Sequence, residues 1–263
     1  MKDYSKQISA PMVMLATDYD PMLVEYPCII QPKLDGVRGL ISPAGKVYYG
    51  RSGQEIPELC GRYGAYGMWI DGEIYKAGVP LATIGGALRK YSELTESLEF
   101  HAFDLMTCET QNTRLRKLYS IQSPKFHLVP SWPMLNASEA YSQYLDMPPE
   151  VEGIIYRNIS APYIEGRTNT MLKRKRMASA EYKCIDIQEG LGKFYGTLGA
   201  FICTLPNGAA FNVSAAELTD EERAKMWADP PINKMLTIRY PSLSKYGIPL
   251  QAQFVAVRDP NDT

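Results

Sequence analysis

From about Ala180 onward the chain consists almost entirely of short apolar segments joined by glycine turns, which restricts its second part to a small β-structure. Tyr182 to Ile187 alternates apolar and polar residues, and Gly190-Leu191-Gly192-Lys193-Phe194-Tyr195-Gly196 turns. Leu198 to Thr204, a Pro206-Asn207-Gly208 turn and Ala209 to Val213 read as a hairpin. Thr219-Asp220-Glu221-Glu222 has the pattern of a helix capping box and opens one short helix, Leu218 to Ala228. Met235 to Tyr240 and Gln251 to Arg258 read as closing strands. About five strands and one helix suit a closed or partly open barrel such as an OB-fold, and a sandwich or SH3-like barrel fits the same pattern. A chain of 263 residues therefore divides into 1–179 and 180–263, with strands and helices mixed in the first part.

Within the first part, the segment with chemical potential is Gln31-Pro32-Lys33-Leu34-Asp35-Gly36-Val37-Arg38-Gly39. It follows the apolar run Cys28-Ile29-Ile30, the pattern of a buried strand end. A lysine leaving a buried strand loses hydration, which favours the neutral, nucleophilic amine. The plainer reading is a solvated lysine before an Asp-Gly turn. Arg38 to Ile41 and Lys46 to Gly53 read as a hairpin, and Arg51 sits in a Gly-Arg-Ser-Gly turn where a guanidinium can grip a phosphate. Residues 1–27, interrupted by Pro11, Pro21 and Pro27, read as a loop-rich lead-in.

Met68 to Tyr75 is an apolar strand carrying Glu73, a candidate for a ribose hydroxyl or a metal. Leu98 to Met106 is another buried strand, whose Phe103 can stack on a base or serve as core. His101, with no cysteine or carboxylate partner at ligand spacing, is expected to be structural. Helices are expected over Ile84 to Tyr91, Thr113 to Ser120 and Ala137 to Asp146. Val151 to Arg157 reads as a strand with Glu152, an oxygen ligand for a metal, at its entrance.

Net charge is −1, so affinity for a polyanion must come from a local concentration of cations. Lys173-Arg174-Lys175-Arg176 is that concentration. In a strand, Lys173 and Lys175 face one way and Arg174 and Arg176 the other. Five scattered cysteines without a CxxC pair argue against a disulfide framework or a zinc site, and fit a reducing, cytoplasmic compartment. Met1 to Gln7 carries no apolar run and no segment reaches 18 apolar residues, so neither a signal peptide nor a membrane helix is expected.

Taken in order, these pieces resemble the covalent nucleotidyltransferase superfamily, and within it the minimal ATP-dependent DNA ligases of bacteria and phages. Lys33-Leu34-Asp35-Gly36-Val37-Arg38 is similar to the nucleophile motif KxDGxR, and Arg51-Ser52-Gly53 to the arginine motif that follows. Asp71-Gly72-Glu73, Phe103-Asp104, Glu152 to Arg157 and Leu172-Lys173-Arg174-Lys175 resemble the remaining motifs in order. Arg258-Asp259 resembles the start of the closing RxDK motif, but no lysine follows.

The resemblance implies an α+β fold: a nucleotidyltransferase (adenylation) domain of antiparallel sheets with helices, then an OB-fold β-barrel. It implies that Lys33 attacks the α-phosphate of ATP, forming lysyl-AMP, and that the adenylate passes to a DNA 5′-phosphate before the 3′-hydroxyl seals the nick. An ordinary lysine is only about one part in a thousand neutral near physiological pH. Lys173, Lys175 and Mg2+, for which Mn2+ can substitute, would favour the neutral amine. Gln31 takes the adenine-edge position, usually a glutamate, and Phe103 stacks on adenine. Glu73 holds ribose or metal, while Glu152 and Asp35 hold metal. Arg38 binds ribose and, with Arg51, Arg174 and Arg176, the DNA. Lys173, Lys175, Arg258 and Asp259 reach the ATP phosphates. The implied partner is nicked duplex DNA, bound by a monomer without any membrane. An RNA ligase, a GTP-using capping enzyme or an inactive OB-type nucleic-acid-binding protein are the alternatives.

Overall fold

The structure is a computed structural model, and it describes residues 9–148, 151–244 and 246–258. The chain forms two compact units, divided between Lys175 and Arg176. The first begins with β1 (Met14–Asp18), β2 (Cys28–Lys33), β3 (Val37–Ile41), β4 (Val47–Tyr49) and β5 (Ile70–Tyr75). Then come α1 (Leu81–Arg89), α2 (Glu93–Ser97), β6 (Glu99–Leu105), α3 (Gln111–Ser120) and β7 (His127–Leu128). The unit ends with β8 (Trp132–Met134), α4 (Ala137–Asp146), β9 (Gly153–Asn158) and β10 (Gly166–Lys175).

Two five-stranded sheets organise this unit, in the orders β1-β10-β9-β2-β8 and β4-β3-β5-β6-β7. Most pairings are antiparallel, while β1–β10 and β6–β7 are parallel. The main core contains Ile41, Ile70, Ile74, Phe100 and Leu105, on which Ile84 and Leu88 of α1 and Leu115 and Leu118 of α3 close. Those helical positions recur at three- and four-residue spacing, so each helix turns one apolar stripe inward. Segment 9–27, read as a lead-in, contributes an edge strand instead. Val13 and Met14 are buried there, because β1 gains a ladder along β10 that its proline-rich surroundings do not reveal.

The second unit comprises β11 (Ala178–Glu189), β12 (Leu198–Thr204), β13 (Ala210–Ser214), α5 (Asp220–Ala228) and β14 (Met235–Tyr240). β15 (Ser242–Leu243), β16 (Pro249–Leu250) and β17 (Gln253–Val257) follow. The ladder β11-β12-β13-β17-β14 returns to β11 and closes the barrel, with α5 connecting β13 to β14 along the chain, which is the OB-fold arrangement. Phe201, Phe211, Val213, Leu236, Ile238 and Phe254 fill its interior. The capping box on Thr219 is present: Glu222 N donates to Thr219 Oγ1 at 3.2 Å, and Thr219 N donates to Glu222 Oε2 at 2.8 Å. Among the described residues no helix is long and apolar enough to cross a membrane.

Candidate active site

Three neighbouring strands bring distant side chains to one point. Gly153 at the start of β9 is the register partner of Lys33 on β2 and of Lys175 on β10. Glu152, just before it, therefore stands between two lysines, and its backbone N donates to Lys33 O at 3.1 Å. Lys33 Nζ donates a short hydrogen bond to Glu152 Oε2, while Lys175 Nζ lies 3.0 Å from Oε1. Position 153 has no space for a side chain: a Cβ there would sit 2.1 Å from Arg174 O. The Glu-Gly order is thus steric as well as chemical.

The local field follows from this packing. Burial pushes the Glu152 carboxyl up, but the charge and hydrogen bond of Lys33, reinforced by Lys175, hold it below its ordinary value. Asp35 is raised, first by burial and then by Glu152, against the pull of Lys33 and Lys175. Gly36 presses the turn onto β5, where an added Cβ would meet Ile74 O at 2.5 Å and Glu73 Cγ at 2.7 Å. Burial pushes the Glu73 carboxyl up to about 8 despite Arg38 and Lys33. Asp35 and Glu152 thus offer carboxylate oxygens of the kind Mg2+ takes, whereas burial favours the protonated form of the Glu73 carboxyl.

Behind this cluster lie two groups of buried polar side chains. Arg38 grips Asp71 with two bonds, Nε to Oδ1 at 2.9 Å and Nη2 to Oδ2 at 2.5 Å, and gives a third to Met14 O at 2.6 Å. Tyr163 donates to the same Asp71 at 2.6 Å. Asp104 is fully buried and accepts from Arg114 Nε at 2.8 Å and Arg157 Nη1 at 2.8 Å. Gln31 is also buried: its oxygen accepts from Arg157 Nε at 2.6 Å, and its nitrogen donates to Phe103 O at 3.0 Å and Ser131 Oγ at 2.8 Å. The guanidinium centres of Arg38 and Arg157 lie 5.4 and 5.3 Å from the Phe103 ring. The ring therefore lies beside two cations, each paired with a buried carboxylate, Arg38 with Asp71 and Arg157 with Asp104.

The remaining candidates are dispersed. Lys173 pairs with Asp18 at 3.1 Å. Arg174 points to the other face of β10, where its guanidinium lies 4.4 Å from the Tyr144 ring and 4.8 Å from that of Tyr19. Arg51 is exposed in the turn after β4. Arg176 and Arg258 belong to the second unit, and Arg258 bonds to Glu181 within it. Asp259 lies outside the described residues. One expectation is corrected: His101 has a carboxylate partner, Glu99 Oε2 at 3.1 Å, because the two residues lie on one face of β6.

The sequence did not single out Arg114 or Tyr163 as support for the site, and Asp71 and Arg157 stood in the motifs without a role of their own. Charged residues inside apolar strands, such as Asp104 in Phe103-Asp104-Leu105, are the available signal, since a buried charge requires a partner.

A family model described as the DNA ligase OB-like domain matches residues 189–258. A DNA ligase of African swine fever virus (isolate Tick/South Africa/Pretoriuskop Pr4/1996) is 30% identical over 268 residues, covering 88% of this chain and 64% of that protein. The chain thus spans just under two thirds of that relative's length. A solved structure of a Lig E DNA ligase, described as binding DNA with a minimal scaffold, superimposes with a TM-score of 0.75 at 22% identity, covering 94% of this chain and 99% of that one. The ATP-dependent DNA ligase of bacteriophage T7, solved in complex with ATP, gives a TM-score of 0.54 at 17% identity, with coverages of 94% and 98%.

Proposed function

We propose, from a chain that has the two-domain plan of a minimal ATP-dependent DNA ligase, that it joins 5′-phosphate and 3′-hydroxyl ends at nicks in duplex DNA. The observation carrying this reading is the convergence of Lys33 and Lys175 on Glu152. Lys33 is the nucleophile. Its Nζ, aimed by the hydrogen bond to Glu152, sheds a proton to solvent and forms a bond to the α-phosphorus of ATP as the bond to pyrophosphate breaks. Lys175 and Lys173 then face the phosphates and offset their charge.

The adenine stacks on Phe103, whose ring is held against Arg38 and Arg157. Gln31 acts through the chain it braces, since its amide is bonded to Arg157, Phe103 and Ser131. Glu73, protonated near neutral pH, donates to a ribose hydroxyl. Asp35 and Glu152 have the donor chemistry to hold Mg2+, which supplies neutralisation of phosphate charge when bound.

In the next step the AMP moves from Lys33 to the 5′-phosphate of the nick. The 3′-hydroxyl oxygen then attacks that phosphate and AMP leaves. Arg38, Arg51, Arg174 and Arg176 are the DNA contacts, acting in a monomer in a reducing, cytoplasmic setting where the five free cysteines remain thiols and where nick sealing serves replication and repair.

A paired assay tests the reading. Label from α-labelled ATP, and not from GTP, is expected on the protein and absent from Lys33→Ala, and nicked DNA is expected to be sealed in preference to nicked RNA. Absence of adenylate on the parent protein overturns the proposal. Labelling with sealing confined to RNA moves the substrate to RNA ends.

A further inference from the structure

The chain contains two histidines, and the fold brings both to one place outside the Lys33 cluster. His101 on β6 and His127 on β7 are register partners across a parallel pair. Glu99 lies two positions before His101, on the same face of β6. His101 Nε2 is 3.1 Å from Glu99 Oε2, and His127 Nε2 is 3.7 Å from the same oxygen. One donor atom from each of the three residues lies within 4.8 Å of the others. We infer that Glu99, His101 and His127 form a binding site for a divalent transition metal of the zinc class.

The donor set selects the metal. Two imidazoles and one carboxylate suit Zn2+, Co2+, Ni2+ or Cu2+, whereas Mg2+ prefers oxygen donors alone. Bonds of about 2.0 Å to a tetrahedral ion place its ligands roughly 3.3 Å apart, so the trio must contract by about an ångström or more. The geometry allows this. The His127 side chain is 60% exposed and free to turn, and its ring stacks on that of His101 with centroids 4.9 Å apart.

The other two ligands are held. Tyr75 packs edge-on against the His101 ring at 5.3 Å, and Lys76 Nζ lies 3.6 Å from Glu99 Oε1, leaving Oε2 toward the histidines. Such outer contacts orient ligands before a metal arrives. Three protein ligands leave a fourth position for water or an added group. The site adjoins the nucleotide residues without sharing one, because His101 is the register partner of Glu73 on β5.

The test is zinc titration of the full chain followed by imidazole NMR, in which both histidines can be read directly. Both imidazoles are expected to shift together and to saturate at one equivalent, while Mg2+ leaves them in place. His127→Gln, at an exposed position, and Glu99→Gln are each expected to weaken the zinc affinity at least tenfold without altering the fold seen by circular dichroism. Cobalt substitution separates this site from the cysteines, since a thiolate ligand adds an intense near-ultraviolet band that the proposed donors lack. Imidazoles that do not respond to zinc, unchanged affinity in both variants, or a thiolate band each overturn the inference.

Discussion

Lys33 donates a hydrogen bond to Glu152 across 119 residues of sequence, from the last residue of one strand to the residue that enters its antiparallel neighbour. Lys175 holds the other oxygen of the same carboxylate. On the proposed reading, the nucleophile is thereby aimed by a carboxylate that also offers oxygen to a hard metal. Its competence depends on three strands being in register.

Glu152→Gln keeps the shape of this contact and removes the charge. Adenylation of Lys33 is expected to fall by about 100-fold or more, with the protein still folded, as measured by single-turnover transfer of labelled AMP. Lys175→Met leaves the Lys33–Glu152 bond intact and is expected to slow the same step on the order of 100-fold. Wild-type rates in both variants would dissociate the cluster from the chemistry.

The Glu73 carboxyl gives a pH signature. Its folded-state value of about 8 lies above the ordinary carboxylate range, so folding retains a proton that unfolding releases. The sign is therefore a loss of stability as pH rises from about 4.5 to about 8, by at most about 1.4 kcal/mol per unit, levelling off above that. Glu73→Gln is expected to flatten this slope in thermal melts of the nucleotide-free protein. An unchanged slope would remove Glu73 as its source.

Asp104→Asn leaves Arg114 and Arg157 buried without their shared carboxylate. A loss of roughly 3–5 kcal/mol is expected in urea unfolding of the first unit. Arg114→Met, which keeps Asp104 paired with Arg157, is expected to cost less. The reverse order would show that Arg114, rather than Asp104, anchors the network.

Gly153→Ala should disrupt both stability and chemistry. The new methyl meets the backbone of β10, which no rotamer change relieves. Melting is expected several degrees lower, with adenylation impaired beyond the fraction unfolded. Normal labelling at a temperature where the variant is fully folded would show that the strand spacing tolerates adjustment.

The sequence by itself determined what depends on nearby residues. The strand at Tyr182 to Ile187, the uninterrupted strand at Met235–Tyr240 and the Thr219–Glu222 cap are written in short windows and appear in the structure, although a bulge between Cys184 and Asp186 breaks the alternation of the first and leaves Ile185 exposed. So does the helix over Ala137–Asp146. The motif residues were likewise legible as chemical types in order.

Only the tertiary structure decided how those groups are paired. Glu152 meets Lys33 and Lys175, Gln31 turns its amide to Arg157 and Phe103, and Arg174 is directed among tyrosines. His101 gains His127, 26 positions further along the chain, through the parallel pairing of β6 with β7. Periodicity and capping arise from contacts within a few residues, so a local pattern contains them. The partner of a buried charge is chosen by sheet register and the closing of long loops, whose outcome depends on how the whole core packs.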